Sequence, residues 1–138
     1  MRKIDYIVLH CTASPQSQTV ESIKQYWKKV LGWKKPGYHY IIRPDGIAIN
    51  LLPIEEVSNG VAGFNSNSIH ISNIGGVDAK GNPVDNRTSG QIITTIELLT
   101  VFKKKFPSAK IKGHNEFPGV KKACPSFSVP VWLKEIGF

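Results

Sequence analysis

Two spacings of apolar residues alternate along this chain, and their order limits the fold more than any other feature. Residues 4–10, Ile-Asp-Tyr-Ile-Val-Leu-His, make a mostly apolar run of strand length. After a polar stretch over 11–18, Thr19 stands as a helix N-cap. Val20, Ile23, Trp27, Val30 and Leu31 then recur at helical spacing, with Lys24, Lys28 and Lys29 on the other side and Gly32 at the end. Residues 38–43 and 47–51 flank Pro44-Asp45-Gly46 and predict a hairpin. Residues 68–74 alternate with period two and end at Gly75-Gly76. Thr88 with Gln91 predicts a capping box, opening a long helix with an apolar stripe of Ile92, Ile96, Leu99, Phe102 and Phe106, stopped by Pro107. A short strand over 109–113 and a final helix from Pro130 complete the series. Strand, helix, hairpin, strand, helix, strand is the order of an α/β domain with a mixed central β-sheet flanked by helices.

The 138 residues suit one domain over 1–138, and no repeat or linker divides them. Apolar residues at 41% exclude a disordered chain, and no apolar run approaches the roughly 20 residues of a membrane span. Two cysteines, Cys11 and Cys124, are too few for a disulfide scaffold. Asp5, Tyr6 and His10 interrupt any signal-peptide core behind Met1-Arg2-Lys3, so synthesis in a cytoplasm without a signal peptide is expected. The net charge of +8 favours an anionic partner without choosing one.

Residue types and positions then narrow the chemistry. His10 ends the first strand, His114 follows the short strand 109–113, and Cys124 lies in the loop Lys121–Phe127. Open α/β sheets place their sites at such strand ends. Two His and one Cys suit a tetrahedral zinc ion with its fourth position left for water, although no close ligand pair is present. The plain alternative is two satisfied loop histidines and a buried thiol. His39 and His70 fall inside strands and read as packed, hydrogen-bonded side chains. Cys11 points away from His10 and reads as core. Asp78–Asn82 is a poor calcium loop, because Lys80 occupies a ligand position. Asn86-Arg87-Thr88 matches a glycosylation pattern, but Thr88 already has a capping role.

Six segments carry a resemblance. They are Val8-Leu9-His10-Cys11-Thr12-Ala13, Gly37-Tyr38-His39-Tyr40-Ile41-Ile42, Asn65-Ser66-Asn67-Ser68-Ile69, Gly75-Gly76-Val77-Asp78, Gly113-His114-Asn115-Glu116 and Lys122-Ala123-Cys124-Pro125-Ser126-Phe127. In this order, over nearly the whole chain, they resemble the zinc-dependent N-acetylmuramoyl-L-alanine amidases of the second amidase type. These include phage lysozyme-like amidases and share their fold with peptidoglycan recognition proteins. The resemblance implies zinc held by His10, His114 and Cys124, with Tyr38 and Lys122 as catalytic residues. It implies hydrolysis of the amide between N-acetylmuramic acid and L-alanine in peptidoglycan, by a monomer that reaches the cell wall after release, as an endolysin does.

The chain departs from the pattern at three places. Gly60 stands where many relatives carry His, Phe64 where Tyr is common, and His70 where Gly is common. Glu116 reads as a loop carboxylate beside the site. A non-catalytic peptidoglycan-binding module of the same fold is the alternative, and Cys124 speaks against it, because non-catalytic relatives typically replace this residue. No nucleic-acid motif accompanies the lysines, so no nucleic-acid partner is expected.

Overall fold

The computed structural model describes residues 1–138. Its eight main elements are β1 (Tyr6–Cys11), α1 (Val20–Gln25), β2 (Tyr40–Ile42), β3 (Ala48–Asn50), β4 (Ser68–Asn73), α2 (Ser89–Lys105), β5 (Lys110–Gly113) and α3 (Val129–Ile136). The five strands form one sheet in the order β3-β2-β4-β1-β5. β1 runs parallel to both β4 and β5, β2 runs parallel to β4, and only the β2–β3 hairpin is antiparallel. The mixed sheet with flanking helices is the architecture the alternating periods predict.

Strand parity separates the two faces. Ile7 and Leu9 of β1, Ile69 and Ile71 of β4 and Ile42 of β2 point to one side. There they meet Leu99 and Phe102 of α2 and Val129 and Trp132 of α3 in a twelve-residue core. The intervening residues, Val8 and His10 of β1 and Ser68, His70 and Ser72 of β4, share the opposite face. They too are buried. Residues 68–74 therefore alternate by face but not by exposure, because β4 lies between β1 and β2 and is covered on both sides. Two smaller clusters close the second face: Ile23, Trp27, Ile41 and Ile74 under α1, and Val8, Val61 and Phe117 beside β1.

The local signals act as their chemistry requires. Thr19 Oγ1 accepts from the Ser22 N–H at the start of α1. After Gln25 the helix widens through Tyr26–Val30, where the Leu31 N–H reaches back five residues to the Tyr26 carbonyl. The Thr88–Gln91 capping box is present. The buried face of α2 differs from the expected stripe. It is Gln91, Thr95, Leu99 and Phe102, with Ile92 and Ile96 half-buried beside it. The helix is rotated because Gln91 is used as a polar bridge to the sheet. Residues 78–88 form a loop, exposed as far as Asp85, in which Asp78 Oδ1 accepts from the Lys80 and Asn82 N–H groups. Asn86 holds the Gly76 N–H and the Val77 carbonyl. Both side chains are occupied in turns.

Candidate active site

The site is built where β1 and β5 end side by side. β1 delivers His10 onto the polar face of the sheet, 1% exposed. β5 stops at Gly113, and the chain turns tightly through His114–Glu116. Glu116 Oε2 accepts the Gly113 N–H at 2.6 Å and braces this turn. Its carboxylate therefore shapes the loop that carries His114. The third chain segment is tied to the same turn, because the Asn115 N–H donates to the Cys124 carbonyl at 2.9 Å. The Cys124–Pro125 peptide bond is cis. Ser126 follows with its hydroxyl donating to the Gly76 carbonyl at 3.0 Å.

His10 Nδ1 lies 3.2 Å from His114 Nδ1 and 3.8 Å from Cys124 Sγ. The three donor atoms all fall within 4.8 Å of one another. Zinc–nitrogen bonds of about 2.0–2.1 Å and a zinc–sulfur bond of about 2.3 Å at tetrahedral angles separate ligand atoms by about 3.3–3.6 Å. The observed pairs bracket that edge, so the donor set fits a metal ion of this kind. Its protonation chemistry fits as well. Burial, with His70, His114 and Lys122 nearby, holds His10 well below the usual histidine value, leaving a neutral ring with a free lone pair. Burial and Lys122 lower His114 in the same direction. Cys124 Sγ accepts the Cys11 N–H at 3.2 Å. Its hydrogen bond with the Cys11 side chain, and then burial, push the Cys124 thiol up, against a smaller opposing pull from Lys122. A bound cation would reverse that balance.

Cys11 behaves as its strand position predicts. Its sulfur faces Ser126 Oγ at 3.6 Å and packs under Gly76, outside the donor set. His39 and His70 are both fully buried and hydrogen-bonded.

His10 and His114 line a cleft of about 590 Å³, and Cys124 lies buried behind them. Tyr38 forms one wall. Its ring lies 4.9 Å from that of His10 and 5.4 Å from that of Trp27, and its hydroxyl donates to the Cys11 carbonyl at 3.4 Å. Burial raises the phenol above its ordinary value, so the hydroxyl stays protonated and remains a donor. Lys122, exposed, also contributes to the lining. Thus the structure gathers all five residues expected from the sequence, namely His10, His114, Cys124, Tyr38 and Lys122. Sequence reasoning missed two parts of this cleft. Tyr26, Leu31 and Trp33, in and just after the widened turn that follows α1, line it. His70 lies directly behind His10.

Comparison with known proteins decides the family. The family model described as N-acetylmuramoyl-L-alanine amidase matches residues 1–127. The chain belongs to the N-acetylmuramoyl-L-alanine amidase family. An endolysin of Klebsiella phage KP32 is 38% identical over 131 residues, 94% of this chain and 85% of the relative. Among solved structures, the Ph2119 endolysin from a Thermus scotoductus bacteriophage aligns with a TM-score of 0.82 at 30% identity, covering 99% of this chain and 86% of that one. PGRP-SA of Apis mellifera aligns with a TM-score of 0.80 at 20% identity, which shows a shared fold. This amidase is therefore an enzyme that hydrolyses peptidoglycan. None of its helices is long and apolar enough to cross a membrane.

Proposed function

We propose that residues 1–138 form one catalytic domain, a zinc-dependent endolysin. It cleaves the amide between the lactyl group of N-acetylmuramic acid and the L-alanine of the stem peptide. The observation that carries this reading is the approach of His10 Nδ1, His114 Nδ1 and Cys124 Sγ to within 4.8 Å of one another, beside a cleft that Tyr38 and Lys122 help to line. These three residues would hold a zinc ion, which would supply Lewis acidity for the scissile carbonyl and for a water nucleophile near neutral pH.

The chain's own groups account for the rest. His10 and His114 bind as neutral rings, and Cys124 binds as a thiolate supported by the Cys11 N–H. Water adds to the carbonyl carbon, the carbon–nitrogen bond breaks, and the protons the water gives up pass to the leaving L-alanine nitrogen, leaving the lactyl group as a carboxylate. The carbonyl oxygen gains negative charge as water adds, and the Lys122 ammonium faces the cleft as a positive charge to stabilise it. The Tyr38 hydroxyl, kept protonated, turns from the Cys11 carbonyl to donate to the reacting oxygens. Tyr26, Leu31 and Trp33 provide an apolar wall for sugar and peptide. The enzyme acts as a monomer, made in a cytoplasm and meeting the wall after release.

The deciding experiment is lysis of purified peptidoglycan, with new amino termini counted. We expect release of L-alanine amino termini by the wild type, loss on dialysis against a chelator, and return with Zn²⁺. Cys124→Ser should lower the rate by at least about a hundredfold, because it removes a metal ligand. A protein that binds peptidoglycan equally with and without zinc and releases no amino termini would instead be a binding module.

A further inference from the structure

His10 can direct the Nδ1 lone pair toward His114 and Cys124 only when its ring proton sits on Nε2, and a neutral imidazole does not make that choice unaided. The chain of contacts behind His10 makes the choice. His10 Nε2 lies 2.8 Å from His70 Nδ1, and His70 Nε2 lies 2.9 Å from Asn65 Oδ1. Asn65 Oδ1 also accepts the Val61 backbone N–H at 2.7 Å. A backbone N–H can only donate, so the atom facing it must be the Asn65 oxygen and not its amide nitrogen. That oxygen can only accept, so His70 carries its proton on Nε2. His70 Nδ1 is then an acceptor, and His10 Nε2 must be the donor. Every proton in the series is set by one main-chain amide.

His70 is itself fixed in place. Its own backbone N–H donates to His39 Nδ1 at 3.0 Å, and the His39 ring is anchored by Nε2, 2.7 Å from the Glu56 carbonyl. Gly60 belongs to the same arrangement. A Cβ at Gly60 would lie 2.3 Å from His70 Nδ1, 2.4 Å from its Cγ and 2.5 Å from its Cε1. The backbone there does not need the left-handed region, so the absence of a side chain serves to leave room for the His70 ring.

We propose that His70 is a positioning residue for the metal centre. The Val61 N–H, Asn65 and His70, with Gly60 leaving the space, hold His10 in the one tautomer that presents Nδ1 to the ion. This rests on the metal-binding reading above, and the two can be tested apart. Partners of this kind, hydrogen-bonded behind a ligating imidazole, are worth about 10–100-fold in metal affinity.

The experiment uses the whole chain stripped of metal, with two readouts: histidine ¹⁵N–¹H correlation spectra for the His10 tautomer, and zinc affinity by competition with a chelating dye. In the wild type the metal-free His10 should be in the Nε2–H form. His70→Leu should mix the tautomers and weaken zinc binding by about 10–100-fold. His70→Asn places an acceptor oxygen near the position of Nδ1, and should restore both readouts to within about threefold of wild type. Gly60→Ala should weaken zinc binding in the wild type yet have no effect in a His70→Gly background, where no ring is displaced. A folded His70→Leu protein with wild-type affinity and an unchanged tautomer overturns the proposal. So does a His70→Asn protein as impaired as His70→Leu. Should His70→Leu not fold, equal losses from Gly60→Ala in both backgrounds overturn it. A wild type that binds no zinc overturns the metal assignment, while the tautomer spectra still decide the role of His70.

Discussion

At the scale of single residues, His39 links the site to acid stability. Burial pushes its imidazole down to about 4, against the opposing pull of its hydrogen bond to the Glu56 carbonyl. An unfolded chain takes a proton on this ring near pH 6.5, whereas the folded protein resists until about pH 4. Between those values the unfolded state binds more protons, so stability falls as pH falls, by up to about 1.4 kcal/mol per pH unit. Above pH 6.5 this contribution is flat. His10, His70 and His114 are also shifted down and add losses of the same sign in metal-free protein. We expect urea unfolding of the metal-free chain to show a steep loss of stability from pH 6.5 to 4.5, and His39→Gln to make that slope shallower by about one proton. Identical slopes would assign the acid sensitivity elsewhere. Lys122 gives a second test at this scale. Lys122→Ala should cut kcat by about 10²–10³ while zinc content, measured by mass spectrometry, stays at the wild-type level. His10, His114 and Cys124 stand out in the sequence as possible ligands by type and position, but the six-segment resemblance, not their spacing, singles them out as a set. His70 does not stand out, because its role depends on β4 pairing beside β1. The register sets Ser72 opposite His10, so His70, two residues earlier, shares the His10 face. That neighbour relation is tertiary, and no spacing within one segment encodes it.

Among the elements, α2 shows how a polar residue can decide how a helix sits. Gln91 is fully buried. Its Nε2 donates to the Ile42 carbonyl at 3.1 Å and to the Ile74 carbonyl at 3.0 Å, while its Oε1 accepts the Thr88 N–H. One side chain thus closes the capping box and satisfies two carbonyls at the ends of β2 and β4. The sequence made the cap visible, since Thr88 and Gln91 are three residues apart. It did not show that the same Gln reaches the sheet, so the apolar stripe alone put the centre of the buried face about an eighth of a turn away. Gln91→Leu keeps the bulk and removes every one of these bonds. We expect it to destabilise the fold by about 2–4 kcal/mol, more than the roughly 1 kcal/mol of an ordinary cap loss. Chemical denaturation of the two variants, Gln91→Leu and Thr88→Ala, makes the comparison. Equal losses would mean that the Ile74 carbonyl finds another partner, as the Ile42 carbonyl already has one in the Ile74 N–H. A related economy operates at Gly76, where φ is +95° and a Cβ would lie 2.4 Å from Cys11 Sγ. The Gly75-Gly76 pair that marks the end of β4 in the sequence also lets this loop close over the cysteine beside the ligand loop.

For the molecule as a whole, the net charge of +8 has to be reconciled with a site that uses only one lysine. Lys24, Lys28, Lys34 and Lys35 line a groove with Trp27 and Trp33, and those two aromatic residues also line the catalytic cleft. Only Lys35 of these four is paired, with Glu56 at 3.1 Å, and that pair is half-exposed. The positive field is therefore continuous with the cleft but lies outside the reacting groups. Charges so placed act on encounter and not on the chemical step. Peptidoglycan carries carboxylates at high local density, so the field should raise the rate at which cleft and polymer meet. The Debye length falls from about 10 Å at 0.1 M salt to about 3 Å at 1 M, which removes such steering while leaving contacts inside the cleft nearly unscreened. We expect kcat/KM on insoluble wall to fall about tenfold or more over that range, and kcat on a small soluble muropeptide to change by less than about twofold. Replacing Lys24, Lys28 and Lys34 together by Gln should flatten the salt dependence on wall without altering the soluble reaction. Were both substrates to lose activity in parallel, salt would be acting on the site itself and the lysine groove would have no part in reaching the polymer.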